Sequence, residues 1–287
     1  MLYYGVERKV LAILGEDKMK HRVLLAIVVM LAATGIVQAQ DAGLHGVIDM
    51  TYQSKYIWRG FDLFGDKSGF QPSIDLDLYG SGFGVSAMGH RANSSGYELG
   101  ERWDYTLYYQ GHAFGDAKYA MNYRLGWVYY NFPEYDAPDY DLQELQAVMS
   151  FPNILPVKGL VPTYVLVKLY PSSENSVVEG LVAGGTASGF AHIFMLDYAV
   201  PMPGILPSQP EQVLRLHSEV IYNDGVHPGG GNADQDWSNA VFGVDTDFNV
   251  GKCMTFTPGL YHQITMDDSI NDDKDETWMT FSLKYKF

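Results

Sequence analysis

The sequence predicts an all-β fold, a transmembrane antiparallel up-and-down β-barrel with twelve strands as the expected number. Three observations predict it: an export signal near the start of the chain, a series of segments in which apolar and polar residues alternate, and a final strand that ends on an aromatic residue. We divide the chain into a signal peptide, residues 1–39, and an outer-membrane β-barrel, residues 40–287.

The export signal begins with a basic cluster, Lys20 to Arg22, which is followed by an apolar run over residues 23–37 and then by Gln38 and Ala39. A basic start, an apolar run of about 15 residues and a small residue at the cut are typical of a secretory signal peptide. We expect cleavage after Ala39, with Met19 as a candidate true start. The run is shorter than the roughly 20 residues of a transmembrane helix, and an uncleaved anchor is the alternative.

The charge of the mature chain limits its partners. Residues 1–39 hold five of the 19 basic and three of the 34 acidic residues, which leaves 14 basic and 31 acidic residues and a net charge of −17. A nucleic-acid partner is therefore not expected, because phosphates require a basic surface. The single cysteine, Cys253, excludes an internal disulfide.

After Gln40 the chain repeats one unit, an alternating strand followed by a turn or loop. The mature chain gives about 21 residues for each of twelve units, which suits membrane-crossing strands of roughly 9–11 residues. The predicted strands lie near residues 45–59, 70–79, 83–91, 103–114, 118–132, 142–151, 162–170, 190–200, 213–223, 238–250, 253–266 and 277–287. Pro258 makes the eleventh strand the least regular of these.

Alternation by itself does not distinguish a membrane barrel from a soluble sandwich, but connector lengths and aromatic positions do. Three connectors on the predicted inner side are short, and two longer ones share the pattern Pro-x-Ile-Leu-Pro at residues 152–156 and 203–207. The outer connectors are mostly longer and acidic. Aromatic residues then form two predicted girdles, Trp58, Trp103, Trp127, Trp237 and Trp278 toward the outer ends of the strands and Tyr119, Tyr198 and Tyr285 toward the inner ends.

The last predicted strand shows the alternation most clearly, because its apolar residues occupy every second position up to the C-terminal residue. This arrangement resembles the C-terminal signal by which outer-membrane barrels are recognised for assembly. We assign that signal to Phe281, Leu283, Tyr285 and Phe287.

Two stretches, residues 56–60 (Tyr-Ile-Trp-Arg-Gly) and residues 126–133, together with the C-terminal Tyr-Lys-Phe, resemble the TorF-type porin family. Members of that family are signal-bearing outer-membrane barrels of largely unassigned substrate. The likeness covers roughly residues 46–133, whereas the Pro-x-Ile-Leu-Pro turns and the long fourth outer loop depart from the pattern. The resemblance implies a porin-like fold and no particular substrate or catalytic residue.

Twelve strands lie between the eight of a filled barrel and the sixteen of an open porin, so we expect a narrow pore. Charged residues of both signs are predicted to line it: Asp49, Lys55, Arg59, Asp75, Asp77, Asp104, Arg124, Lys168, Arg215, Glu219, Asp245, Asp247 and Lys284. We predict passive diffusion of small hydrophilic solutes or ions through this mixed-charge lumen. The alternative is a structural or adhesion barrel that does not conduct and acts through its acidic outer loops. Residues 172–189, unusually apolar for a loop, are the segment expected to fold into the mouth or to contact a neighbouring barrel.

Catalysis is the least favoured interpretation, and no cofactor or metal site is expected. A hydrolase site would need Asp224, His227 and His262 to meet at the outer rim. Acidic loops collect Ca²⁺ or Mg²⁺ in some proteins, but residues 267–276 lack the glycine of an EF-hand. The expected partners are outer-membrane lipids, the barrel-assembly machinery and small hydrophilic solutes. The solute, the ion selectivity and the oligomeric state are not predicted.

Overall fold

The computed structural model describes residues 43–135, 141–172, 188–227, 233 and 235–287. Twelve strands form one closed antiparallel sheet in which each strand pairs with its neighbours in sequence and β12 returns to β1. The barrel strands are β1 (His45–Gln53), β2 (Gly69–Asp77), β3 (Phe83–Ala92), β4 (Arg102–Ala113), β5 (Met121–Asn131), β6 (Leu142–Ser150), β7 (Leu160–Pro171), β8 (Gly189–Pro203), β9 (Glu211–Asp224), β10 (Asp236–Thr246), β11 (Met254–Thr265) and β12 (Glu276–Lys286). The predicted all-β, twelve-stranded barrel is confirmed.

The two faces of the sheet are inverted relative to a soluble β-sandwich, which buries its apolar face. Large apolar side chains point outward, and Met50 and Phe242 are 49% and 50% exposed. Polar side chains on the inner face, such as Glu144 and Gln263, are fully buried. The period-two alternation read from the sequence therefore sorts apolar residues to the outside and polar residues to the lumen.

The connectors differ at the two ends of the barrel. We call the end at which β1 begins and β12 ends the inner end, following the predicted orientation. The inner connector between β2 and β3 is a tight turn in which Gly82 has a φ of +84°. A Cβ atom at this position would lie 2.7 Å from the backbone oxygen of Gln110, so both the backbone conformation and the close contact require glycine.

Pro258 is accommodated in β11 by a break in the neighbouring strand. Strand β10 ends at Thr246, and its pairing with β11 stops at the Asp245–Gly259 pair. A separate short pairing, Phe248–Asn249 with residues 255–256 of β11, resumes beyond the break. Pro258 lies between these two stretches, where the missing N–H of proline interrupts no ladder bond to β10. On its other side Pro258 pairs with Phe281 of β12.

The first strand is shorter than the sequence predicts. Strand β1 ends at Gln53 rather than Arg59, and residues 54–68 turn into the barrel. Within this connector Ile57–Trp58 pairs with Phe61–Asp62 across a two-residue turn in which Arg59 and Gly60 both have positive φ. Paired positive-φ residues are typical of the tight turns that close β-hairpins. We call residues 54–68 the lumen hairpin.

Apolar packing fills the part of the lumen that surrounds the hairpin. Trp58 lies between two buried clusters, one on the barrel wall and one that contains Phe61, Ala233 and Ile270. The wall cluster, contributed by β5–β9 and the connector after β9, is Val128, Tyr130, Leu142, Val165, Val167, Leu169, Ala191, Ile193, Ile221 and Val226. The outer half of the barrel is therefore filled by side chains.

Several predictions fall outside the described residues. These are the signal peptide, the apolar stretch of the connector at residues 172–189, and residues 136–140 of an acidic outer connector. Among the described residues, no helix has the length and apolar character needed to cross a bilayer. The only helical pieces described are two 3₁₀ turns in outer connectors, Glu98–Gly100 and Asn271–Asp273.

Candidate functional site in the barrel lumen

Most of the charged residues predicted to line the lumen lie on the inner face of the barrel. Their positions follow from the strand register and from the two cavities that open on the inner face. The inward-facing members of the predicted set are Asp49, Asp75, Asp77, Asp104, Arg124, Arg215, Glu219, Asp245, Asp247 and Lys284. Lys55 and Arg59 also lie inside the barrel, but they belong to the lumen hairpin and not to strand β1.

The prediction that Lys168 lines the lumen is wrong, because this residue faces outward. It pairs across the ladder with Leu145, which is 39% exposed on the outer face, and its ammonium lies 4.3 Å from the ring centre of Phe190. Strand β7 is apolar on both faces, since Val165 and Val167 point inward. The alternation that fixes side-chain direction in the other strands is therefore missing in β7.

Two of the five tryptophans assigned to the outer girdle also differ from the prediction. Trp103, Trp127 and Trp237 lie on outward-facing positions. Trp58 belongs to the lumen hairpin, and Trp278 is 8% exposed on the inner face, stacked on Tyr261 with a centroid distance of 5.5 Å. Trp278 faces inward because it alternates with the apolar positions of β12, which face outward.

The remaining girdle and signal residues lie on the outer face or at its inner edge. Tyr119 is 60% exposed in the inner connector between β4 and β5, and Tyr198 alternates with the inward-facing Asp197 of β8. The residues assigned to the assembly signal, Phe281, Leu283, Tyr285 and Phe287, are all exposed on the outer side of β12. The assembly role itself stays a prediction.

Ion pairs and hydrogen bonds join the lumen hairpin to opposite walls of the barrel. The Arg59 guanidinium forms a bidentate pair with Glu144 of β6, with a distance of 2.6 Å from Nη2 to Oε1. Lys55 pairs with Glu276 of β12 at 2.5 Å, and the side-chain amide of Gln263 of β11 donates to the carbonyl oxygen of Gly60 at 2.8 Å. The hairpin thus crosses the lumen between β6 and β11–β12.

Stacking contacts hold the aromatic residues of the hairpin against β3, β4 and β5. Tyr56 stacks on His90 with a ring-centre distance of 4.8 Å. The guanidinium groups of Arg59 and Arg102 lie 4.7 and 5.0 Å from the Trp58 ring, and Arg102 also lies 4.6 Å from the ring of Tyr130. Cation–π contacts between groups removed from water are stronger than exposed ones.

The wall beneath the hairpin carries a connected polar network. Arg102 and His90 both contact the carboxylate of Asp104, with distances of 2.9 Å from Arg102 Nε and from His90 Nε2. The other ring nitrogen of His90 lies 3.0 Å from the side-chain nitrogen of Gln71. Sequence reasoning identified Asp104 but not Arg102, His90 or Gln263. Their positions in the strands could have predicted them. Each is a polar residue near the outer end of a strand, at a position that alternation assigns to the inner face.

A carboxylate cluster lies at the outer end of the hairpin. Asp62, Asp66 and Glu276 bring their oxygens within 4.8 Å of one another, a spacing that suits a metal ion. The Lys55 ammonium bonds two of these carboxylates. Hydrogen bonds to Asp66 and Glu276 raise the pKa of Lys55, so its positive charge is held beside this cluster.

A polar cavity of about 510 Å³ lies between the hairpin and the inner end. Arg215 forms a bidentate pair with Asp247, with distances of 2.7 and 2.8 Å, and also pairs with Asp245. Asp49 accepts hydrogen bonds from the hydroxyls of Thr51 and Ser282. Ile57 of the hairpin also lines this cavity, so the hairpin separates it from the outer end.

Carboxylates outnumber cations on the lumen wall below the hairpin. The inward-facing carboxylates of this region are Asp49, Asp75, Asp77, Asp197, Glu211, Glu219, Asp245 and Asp247. The inward-facing lysines and arginines are Arg124, Arg215, Lys284 and Lys286. His217 of β9, whose ring nitrogens lie 2.7 Å from Asp197 and 3.5 Å from Glu219, adds a fifth cation. Eight negative charges against five positive ones make the potential of this part of the lumen negative.

The residues considered for a hydrolase site do not come together. His262 faces outward and contacts the hydroxyl of Thr277, whereas His227 lies inside against the ring of Phe61. Burial lowers the pKa of His227, which favours its neutral form. Asp224 accepts a hydrogen bond from Gln235 at 2.7 Å. The absence of catalysis stays a prediction.

Comparison with known proteins gives structural likenesses only. No family model and no curated protein matches the chain. Among solved structures, the KdgM porin in complex with disordered oligogalacturonate has 10% identity and a TM-score of 0.48, over 84% of this chain and 99% of that one. An outer membrane channel from Pseudomonas putida F1 has 12% identity and a TM-score of 0.45, over 88% and 100%. The translocator domain of the autotransporter NalP from Neisseria meningitidis has 13% identity and a TM-score of 0.42, over 95% and 96%. At these values the assignment of the fold rests on the strand pairing described above.

Proposed function

We propose that the mature chain, residues 40–287, is an outer-membrane porin-like channel for the passive diffusion of small hydrophilic solutes or ions. One observation carries the proposal: a closed barrel exposes apolar side chains outward and encloses a charged lumen with a polar cavity of about 510 Å³. Only a helix or a closed barrel satisfies the backbone hydrogen bonds of a segment that crosses a bilayer. Burying charged side chains costs free energy, so a barrel that only has to be stable would be expected to have an apolar interior. Charged side chains are the expected lining of an aqueous path.

The location and assembly that we propose follow from the ends of the chain. Cleavage after Ala39 releases the mature barrel, and the aromatic C-terminal strand is recognised by the barrel-assembly machinery. The outward-facing tryptophans Trp103 and Trp237, 37% and 42% exposed, support contact with outer-membrane lipids. The resemblance of residues 56–60 to the TorF-type porins supports the same class of protein. In this chain those residues form the tip of the lumen hairpin.

A second candidate is a structural or adhesion barrel that does not conduct. The specific observation in its favour is the lumen hairpin, which fills the outer half of the barrel together with the apolar wall cluster. The two candidates differ in whether the hairpin leaves a path open or leaves its site. A channel conducts in the parent chain, with the hairpin present, whereas a structural barrel that the hairpin closes conducts only after the hairpin has been deleted.

The experiment is single-channel recording of refolded residues 40–287 in a planar bilayer, with and without the hairpin. Gln53 and Gly69 are cross-strand partners, so a turn of about four glycine and serine residues joins β1 to β2 in register. We expect discrete current steps that are larger in the variant without the hairpin. A matched control lacks residues 94–96 of the outer connector between β3 and β4 and is expected to conduct like the parent chain. Stable insertion of the parent chain without steps would reject the channel, and steps confined to the variant without the hairpin would favour the structural barrel.

A further inference from the structure

Glu144 is a buried carboxylate beside the apolar wall cluster, and the nearby wall cation, Arg102, is already paired with Asp104. The cross-strand partners of Glu144 are Val128 and Leu169, both buried. Among the residues that the structure describes, the one cation bonded to Glu144 is Arg59 of the lumen hairpin, and the amide of Gln146 also donates to it. The barrel strands therefore supply an anionic group in apolar surroundings, and a connector supplies its cation.

Trp58, the residue next to Arg59, contacts the apolar part of the same wall. The Trp58 ring packs on the apolar wall cluster and meets the edge of Tyr130, with the two ring centres 6.2 Å apart. The hairpin thus presents an apolar ring beside a cation, and the wall presents an apolar surface beside a carboxylate. A separate molecule with the same two features would satisfy the same wall groups.

We propose that this part of the lumen is a binding site for small organic cations, compounds that carry an ammonium or guanidinium group on an apolar body. Trp58 and Arg59 occupy the site as a tethered competitor. The inference rests on the proposed channel function and names its class of solute. An anion would place its charge against Glu144, and an inorganic cation would leave the apolar surface uncovered.

The charge of the inner lumen supports the same class independently of the hairpin. Below the hairpin, eight inward-facing carboxylates face five cations, of which His217 is one. A lumen of one dominant sign raises the local concentration of the opposite charge along the approach to the site. Organic cations would therefore be favoured both along the path and at Glu144.

The test is isothermal titration of detergent-solubilised, refolded residues 40–287 with 2-phenylethylamine, which has an apolar ring and an ammonium group. Removing the tethered competitor raises the fraction of binding-competent protein, so Arg59→Ala is expected to bind this probe about tenfold more tightly than the parent. Phenylacetate and 2-phenylethanol, the matched anion and neutral compound, are expected to give no binding. Adding Glu144→Gln to Arg59→Ala is expected to abolish binding. Equal affinity of parent and Arg59→Ala, equal binding of phenylacetate, or binding that survives Glu144→Gln would overturn the proposal.

Folding of each variant is checked by the heat-dependent gel mobility of the barrel. If Arg59→Ala does not refold, Arg59→Gln serves instead, because its amide still offers Glu144 a hydrogen-bond donor but no competing charge. It is expected to bind 2-phenylethylamine more tightly than the parent, and unchanged affinity would overturn the proposal. Titration does not depend on conduction. Binding without current steps would preserve the site and reject the channel, and current steps without binding would reject the site alone.

Discussion

At the scale of single residues, the pair formed by Arg59 and Glu144 decides where the first outer connector lies. Both side chains are withdrawn from water, with exposures of 10% and 0%. Burial of two charges is costly, and the bidentate geometry with the added hydrogen bond from Gln146 compensates for it. The pair thus adds little net free energy of folding, but the hairpin needs both partners to stay inside the barrel.

Replacing Arg59 with alanine tests this account. The change leaves Glu144 buried without its cation, so we expect the free energy of unfolding in lipid vesicles to fall by about 3–5 kcal/mol. Chemical unfolding followed by tryptophan fluorescence measures it. The control is Arg91→Ala, because Arg91 also pairs with a carboxylate, Glu101, but is 67% exposed. An exposed pair contributes about 0–1 kcal/mol, and equal losses in the two variants would contradict our account.

Gly82 tests the inner turn between β2 and β3. Alanine there must adopt a φ near +84° and bring its Cβ close to the backbone oxygen of Gln110. We expect Gly82→Ala to lower the free energy of unfolding by about 1–3 kcal/mol, measured by the same unfolding assay. Gly96 has a φ of +94°, and a Cβ atom added there would have no neighbour within 4 Å, so Gly96→Ala isolates the backbone strain. A smaller loss in Gly82→Ala than in Gly96→Ala would contradict the role of the close contact.

At the scale of elements, the direction of side chains along a strand depends on whether the strand alternates. Strand β12 alternates from Met279 onward, and this phase places Trp278 in the lumen. Strand β7 is apolar on both faces, so its sequence does not predict whether Lys168 faces the lumen or the lipid. The connector after β1 departs further from the pattern. Its aromatic residues Tyr56 and Trp58 pack against the inner wall at His90 and Tyr130, whereas most aromatic residues of the strands face outward.

Quenching of tryptophan fluorescence tests these directions. In single-tryptophan variants reconstituted in lipids with brominated chains, we expect strong quenching of Trp103, Trp127 and Trp237. Trp58 and Trp278 are expected to be quenched weakly, because the barrel wall separates them from lipid. Strong quenching of Trp278 would show that β12 faces the other way. Heat-dependent gel mobility confirms that each variant is folded.

At the scale of the whole molecule, the charge of the chain and the charge of its lumen have the same sign. The mature sequence carries a net charge of −17, and the lumen below the hairpin has eight carboxylates and five cations. Charges that face a narrow aqueous path act on passing ions more strongly than charges on outer loops, because screening by salt is weaker there.

We expect the chain without the lumen hairpin to prefer cations. The measurement is the reversal potential in a potassium chloride gradient, and the preference is expected to weaken at high salt, since the Debye length falls from about 10 Å at 0.1 M to about 3 Å at 1 M. Lys168→Gln is the matched control, because this residue faces outward and its loss leaves the lumen charge unchanged. A preference for anions would contradict the proposed lumen electrostatics.

The sequence by itself determined the strand count, the order of the strands and the inverted faces. Alternation, turn residues and connector lengths are local properties, and each depends on neighbouring positions only. For the same reason most inward-facing charges, such as Asp75 and Asp245, were identified from their phase within a strand.

Only the tertiary structure decided what fills the lumen. Residues 55–59 continue the alternation of β1, and nothing local distinguishes a longer strand from a connector that turns inward. The distinction comes from partners distant in sequence, Glu144 for Arg59 and Gln263 for Gly60, which lie on opposite walls of the closed barrel. Barrel closure brings these walls within reach of one hairpin, and no single strand encodes that distance.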